Sequence, residues 1–143
     1  MPRYRIWLLS LTIAALIAGC GGYQTRKRAE SLDEATTNFE TLLRWGEFED
    51  AGKYAISRKG DPEKLDLKFL KHISVTSYEI TDQAMASDQS EAVVTSVIGF
   101  YDDESAVLHT MHNKQIWWYD ADAKHWFMES GFPDFKAELK KNR

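Results

Sequence analysis

Apolar residues follow three regimes along the chain. Ile6 to Gly19 is an uncharged run of 14 residues, preceded by Arg3 and Arg5 and followed by Cys20. Leu32, Ala35, Phe39, Leu42 and Leu43 then recur at helical spacing, and Phe48, Ala51, Tyr54 and Ala55 form a second such stripe beyond Gly46. Ser31-Leu32-Asp33-Glu34 has the form of a capping box, which predicts a helix starting at Ser31. The residues before it, GGYQTRKR from Gly21 to Arg28, read as a short tether. The joint at Gly46 predicts a helix hairpin. Ser57 to Asp61 reads as a turn, and Pro62 suits the first position of a third short helix running through Leu65, Leu67, Phe69 and Leu70.

After His72 the period changes from 3.6 to 2. Four strands are predicted: Ile73 to about Met85, Glu91 to Tyr101, Ala106 to Tyr119, and Lys124 to Met128. Ser87–Ser90, Asp102–Ser105 and Asp120–Ala123 supply the turns. Gly131-Phe132-Pro133 stops the last strand, and Asp134 to Arg143 reads as a frayed helix. Helices followed by an antiparallel meander define an α+β domain, with N-terminal helices packed on a curved sheet. On the second strand Ala92, Val94, Ser96, Ile98 and Phe100 form the more apolar face and the expected core, yet Val93, Val97 and Tyr101 keep the other face from being polar. The third strand repeats this, with Leu108, His112, Ile116 and Trp118 on one side and Val107, Met111, Trp117 and Tyr119 on the other. A sheet apolar on both sides has both covered. The helices cover one, so a second subunit or an envelope partner is expected on the other, with Trp117 and Tyr119 as docking-face candidates.

Composition narrows the function classes. A chain of 143 residues allows one domain. With 18 Lys+Arg against 22 Asp+Glu, a net charge of −4 and a pI near 5.6, there is no cation surplus to neutralise phosphates, which argues against a nucleic-acid partner. The 43% apolar content is enough for a core. A single Cys excludes an intramolecular disulfide and a thiolate metal cluster.

The apolar run is shorter than the ~20 residues a membrane-spanning helix needs, and it has the flanks of a secretory leader. Its end, Ile17-Ala18-Gly19-Cys20, resembles the lipobox of bacterial lipoproteins. The resemblance implies a signal peptide of residues 1–19, cleavage after Gly19, a diacylglyceryl group on the Cys20 thiol, and further acylation (palmitate-type chains) of the new amine. Several acyl chains, each methylene worth about 0.8 kcal/mol, make such an anchor permanent. Gly21 rather than Asp after the Cys favours, by resemblance to enterobacterial sorting, the outer membrane facing the periplasm. Loss of Arg3 and Arg5 with the leader takes the net charge from −4 to −6. The chain then divides into a leader, residues 1–19; a tether, residues 20–30; an α+β body, residues 31–135; and a basic tail, residues 136–143. Arg26, Lys27 and Arg28 lie in the tether, next to the lipid.

The joint Trp45-Gly46-Glu47-Phe48-Glu49-Asp50-Ala51, the segment Ile73 to Ile80, and the strand-turn-strand from Gln115 through Asp120 to Trp126 and Phe127 together resemble the nuclear transport factor 2-like superfamily, a cystatin-like cone. That superfamily hosts isomerases, dehydratases, transport factors and secretion components, so the likeness implies a fold and leaves the function open. An isomerase-type enzyme would use a carboxylate base and hydroxyl donors inside the cone. Tyr78, His112 and Asp82 are expected on one strand face with Trp118 and Trp126 as an apolar wall, and Tyr78, His112 and Trp118 are the ligand-binding candidates. No carboxylate falls in the middle of the expected inner face, so the leading expectation is a non-enzymatic binding or assembly module, with a ketosteroid-isomerase or dehydratase type enzyme as the alternative. His109 and His112 point to opposite faces of a strand, and no third ligand accompanies them, so no metal and no cofactor is expected. The rings of Trp117, Trp118, Tyr119, Trp126 and Phe127 read as hairpin packing, with a stacking platform for sugars as the other possibility.

Overall fold

A computed structural model describes residues 19–141, with side chains described from Gly22 onward. The expected leader up to residue 18 and the side chain of Cys20 lie outside the described residues. Among the described residues four helices and four strands follow in the order α1 Gly19–Arg44, α2 Phe48–Gly52, α3 Leu67–Leu70, β1 Ile73–Met85, β2 Glu91–Asp102, β3 Leu108–Asp120, β4 His125–Met128 and α4 Phe135–Lys141. The strands form one open antiparallel sheet in the order β1-β2-β3-β4. The helices pack against it, so the fold is α+β.

The helix does not start at Ser31. It runs unbroken from Gly19, and the expected tether is its first two turns and more. Nothing between Gly22 and Glu30 breaks a helix, and i,i+4 contacts support it: Arg26 pairs with Glu30 at 2.9 Å, and the Lys27 ammonium lies 4.6 Å over the Tyr23 ring. Ser31 therefore cannot cap. Its Oγ donates to the Arg28 carbonyl and accepts the indole N–H of Trp126 at 3.0 Å. Downstream, Leu32, Ala35, Thr36, Phe39 and Leu43 form the buried stripe. Gly46, at φ +74°, ends the helix, with its N–H on the Leu43 carbonyl and the Glu47 N–H on the Leu42 carbonyl. That paired closure needs a left-handed residue, which glycine adopts without a Cβ clash.

Pro62 does not open a helix either. It pairs with Ile56 in an isolated bridge, and α3 begins five residues later, capped by Asp66, whose carboxylate accepts the Phe69 N–H. The loop between α2 and α3 also covers the β4 edge, since the Tyr54 carbonyl accepts the Met128 N–H. At the other end of the chain, the expected tail is α4, and it docks. Phe135 is buried and Leu139 packs on the core.

Register fixes which side chains share a face. Ile98 pairs with Tyr78 and Met111, Val94 with Gln83 and Gln115, and Ala92 with Met85 and Trp117. This is the inner face, against α1. The other face carries Val93 opposite Ile116, Val97 opposite His112, and Glu91 opposite Trp118. Two bulges in β1, between Val75 and Ser77 and between Ile80 and Asp82, bend the strand across the domain.

Candidate functional site

The interior is built around one ring. Phe39 projects from α1 and meets Tyr54, Tyr78, Trp117 and Phe132 edge-on, with centroids 5.9 to 6.5 Å apart. Edge-to-face contact sets the positive rim of one ring against the negative face of the next. Within this apolar shell lies a polar chain. The Trp117 indole N–H donates to Gln115 Oε1 at 2.9 Å, and Gln115 Nε2 donates to the Tyr78 hydroxyl at 2.9 Å. Ser96 adjoins Tyr78 and donates from its Oγ to the Asn113 carbonyl at 3.5 Å. Burial raises the Tyr78 pKa above its ordinary value, outweighing the opposite pull of the Ser96 and Gln115 hydrogen bonds, so the phenol stays neutral. The buried polar side chains among the described residues are Thr36, Ser96 and Gln115, and the one orphaned buried polar atom is Asn113 Nδ2.

The sheet separates the residues that sequence spacing had grouped. Tyr78 lies on the inner face. His112 and Trp118 lie on the outer one, His112 exposed and Trp118 half-buried with its indole N–H on the Ile56 carbonyl at 2.9 Å. Asp82 is exposed and pairs with Thr95, also on the outer face. The three ligand-binding candidates therefore do not converge. The docking-face candidates also change sides. Trp117 has no exposed surface, and Tyr119 is half-buried beneath Arg28, whose guanidinium sits 4.4 Å from its ring. Even residues of β2 pair with odd residues of β3, so Trp117 joins Ala92 and Met128 inside the fold. The half-buried apolar side chains of the outer face are Val93, Val97, Tyr101, Ile116, Trp118 and Phe127.

Gln115 is the interior residue that sequence reading missed. Its signal was position: a polar residue two places from Trp117 on an inward-facing register.

His109 stacks on the inner-face Phe100 at 5.5 Å while His112 faces outward, so the pair diverges. Among the described residues no group of three His, Cys, Asp or Glu side chains converges as a metal site. A surface groove of about 500 Å³ runs between Glu63–Leu70 and Glu129–Lys136. Its carboxylates are committed to the fold. Glu63 accepts the Phe132 N–H at 2.6 Å, Glu129 accepts the Arg58 N–H at 2.6 Å, Asp134 accepts the Ala137 N–H at 2.9 Å, and Asp66 binds Phe69 N–H and Lys136. They stitch segments together and leave the groove little unused chemistry.

No protein-family model matches the chain, no curated protein is significantly similar to it, and no solved structure matches it. Among the described residues no helix is long and apolar enough to cross a membrane.

Proposed function

We propose that this chain is a lipid-anchored lipoprotein of the bacterial envelope, moored through Cys20 to the outer membrane on its periplasmic side, with a nuclear transport factor 2-like body that serves as a non-enzymatic binding or assembly module. The lipobox Ile17-Ala18-Gly19-Cys20 and the charged, then apolar, leader support the anchor. Helices followed by a long, bulged antiparallel meander support the cone.

One observation carries the reading of the body. The inner face is occupied by the protein's own Phe39, Tyr78, Gln115 and Trp117, while the outer face keeps a strip of half-exposed apolar side chains. A substrate inside the cone would have to displace rings already packed together. The polar groups there are the Gln115 amide, the Tyr78 phenol, the Trp117 indole and the Ser96 and Thr36 hydroxyls, with no buried carboxylate or imidazole among the described residues, which gives the isomerase alternative no base to use. The outer face, with Val93, Val97, Ile116 and Trp118, favours a protein partner or a second copy of the chain over a small apolar ligand held within.

Intact-mass measurement of the membrane-extracted protein tests the anchor. The expected chain begins at Cys20 and carries acyl chains; a chain beginning at Met1, or a bare thiol, contradicts it. A photo-crosslinking residue at outer-face position 97, compared with one at position 37 on the exposed side of α1, tests the module. A discrete adduct is expected at 97 and none at 37. No adduct at 97 contradicts an assembly role for that face.

A further inference from the structure

The way the body is held above the bilayer rests on the anchoring proposed above. The helix that carries position 20 is the same helix whose Leu32, Phe39 and Leu43 form the core stripe. Between these regions the helix is clamped to the sheet. The Arg28 guanidinium donates to the Gln89 carbonyl at 3.1 Å in the β1–β2 turn and lies over Tyr119 at the end of β3. Ser31 takes the Trp126 indole N–H, and Asp33 takes the Gln83 side-chain amide at 2.8 Å. These four attachments reach β1, the β1–β2 turn, β3 and β4. The helix therefore cannot swing independently of the sheet.

The clamps also give the domain two distinct ends. The near end holds the β1–β2 turn at Gln89 and the β3–β4 turn beyond Tyr119. At the far end, Thr41, Arg44 and Trp45 of α1 and its C-terminal turn border Val75 and Thr76 near the start of β1. The β2–β3 turn, Asp103 to Val107, is also there, because Asp102 pairs with Ile73.

Charge differs along the same axis. The segment from Gly22 to Glu30 carries Arg26, Lys27 and Arg28 against Glu30. Tyr23 is 63% exposed beside Lys27, the pairing of a ring and a long cation found at headgroup level. The near-end turns carry Asp88, Asp120 and Asp122 against Lys124, and the cleaved chain as a whole would be at −6. An anionic surface attracts the first segment and repels the second. Eight residues of helix separate Cys20 from Arg28, about 12 Å at 1.5 Å per residue.

We propose that α1 is a rigid mast. Its first turns, with Tyr23, Arg26 and Lys27, sit against an anionic lipid surface. The clamped remainder holds the acidic body off that surface, with the β1–β2 and β3–β4 turns toward the bilayer and Trp45, Val107 and Leu108 away from it. Those three are 79%, 54% and 66% exposed, and the mast presents them to the aqueous side.

The test uses the full lipidated chain in vesicles of phosphatidylethanolamine and phosphatidylglycerol with quencher-labelled headgroups. With the Cys20 thiol acylated, a fluorophore goes on Ala121→Cys or on Glu104→Cys. Quenching is expected to be stronger at 121 than at 104. A Gly-Ser-Gly-Ser insertion between Gln24 and Thr25 is expected to erase that difference. Equal quenching at the two positions, stronger quenching at 104, or a difference that survives the insertion overturns the mast. Intact mass on the same sample reads the acyl chains separately. An acylated protein without the gradient refutes the mast and spares the anchor, and an unacylated one refutes the anchor.

Discussion

The two faces of the sheet are built from similar side chains and do different work. Both carry tryptophan, valine and isoleucine. On the inner face Trp117 is fully buried, its N–H is bonded to Gln115, and its ring meets Phe39 and Tyr54. On the outer face its neighbour Trp118 is half-buried, rests on Phe127 at 5.5 Å, and has its N–H bonded to a loop carbonyl. One residue along a strand separates a core from a surface. Residue type alone therefore does not separate the buried face from the half-exposed one; pairing register does, because a strand's side chains alternate with a period of 2.

The sharpest way to break this contrast is truncation on each side of the sheet. Trp117→Ala and Phe39→Ala are expected to cost about 3–5 kcal/mol of unfolding free energy in urea titrations, as large buried rings do. His112→Ala on the outer face is expected to stay within about 0.5 kcal/mol. Comparable losses on both faces would mean that the outer face is also core.

A smaller effect probes the polar chain. Tyr78→Phe removes the acceptor of Gln115 Nε2 and leaves a buried donor unpaired, which is expected to cost about 1–3 kcal/mol. The same variant has a pH signature. Because burial raises the Tyr78 pKa above its ordinary 10.0, its contribution is fully present below that value and is lost as pH rises through the raised one. The wild-type protein is expected to lose stability over that range, from 10.0 up to the raised value, more steeply than Tyr78→Phe, as read by denaturant midpoints at successive pH values.

The turns give a gain. Gln89, Ala106 and Lys124 adopt positive φ of 58°, 51° and 52°, each just before a strand. Ala106→Gly is expected to stabilise by about 0.5–1 kcal/mol, since the left-handed conformation burdens an L-residue and not glycine. The smallest effect is acidic. Hydrogen bonds from nearby backbone N–H groups, chiefly those of Phe69, Ser90 and Ser105, lower the pKa values of Asp66, Asp88 and Asp102 from 3.8. Their stabilisation is present above that value and lost as pH falls through the lowered ones. A modest fall in melting temperature is expected over that window, diminished in Asp102→Asn.

The helical stripe from Leu32, the four strands and the even-numbered core face of β2 were all legible, because period and burial coincide there. The start of α1 was not. Ser31 and Glu34 satisfy a capping pattern, yet the partners that hold Ser31 in mid-helix, Arg28 and Trp126, lie 3 and 95 residues away, and the second is invisible to local reading. The turns were legible from Asp and Ser, but their positive-φ positions were not, since none is glycine. The candidate site failed where strand faces had to be matched across β1. The bulge between Ile80 and Asp82 shifts its parity, so spacing from Tyr78 to Asp82 no longer reports a face.

The most direct test of a closed interior together with the proposed processing and anchoring is the set of indole N–H signals of the ¹⁵N-tryptophan-labelled full chain in lipid nanodiscs with a soluble paramagnetic agent. The sequence holds five tryptophans, and the proposed cleavage after Gly19 removes Trp7, so four signals are expected. Broadening is expected to be strongest for Trp45, intermediate for Trp118, and absent for Trp117 and Trp126. A fifth signal, or Trp117 broadened as much as Trp118, contradicts the account.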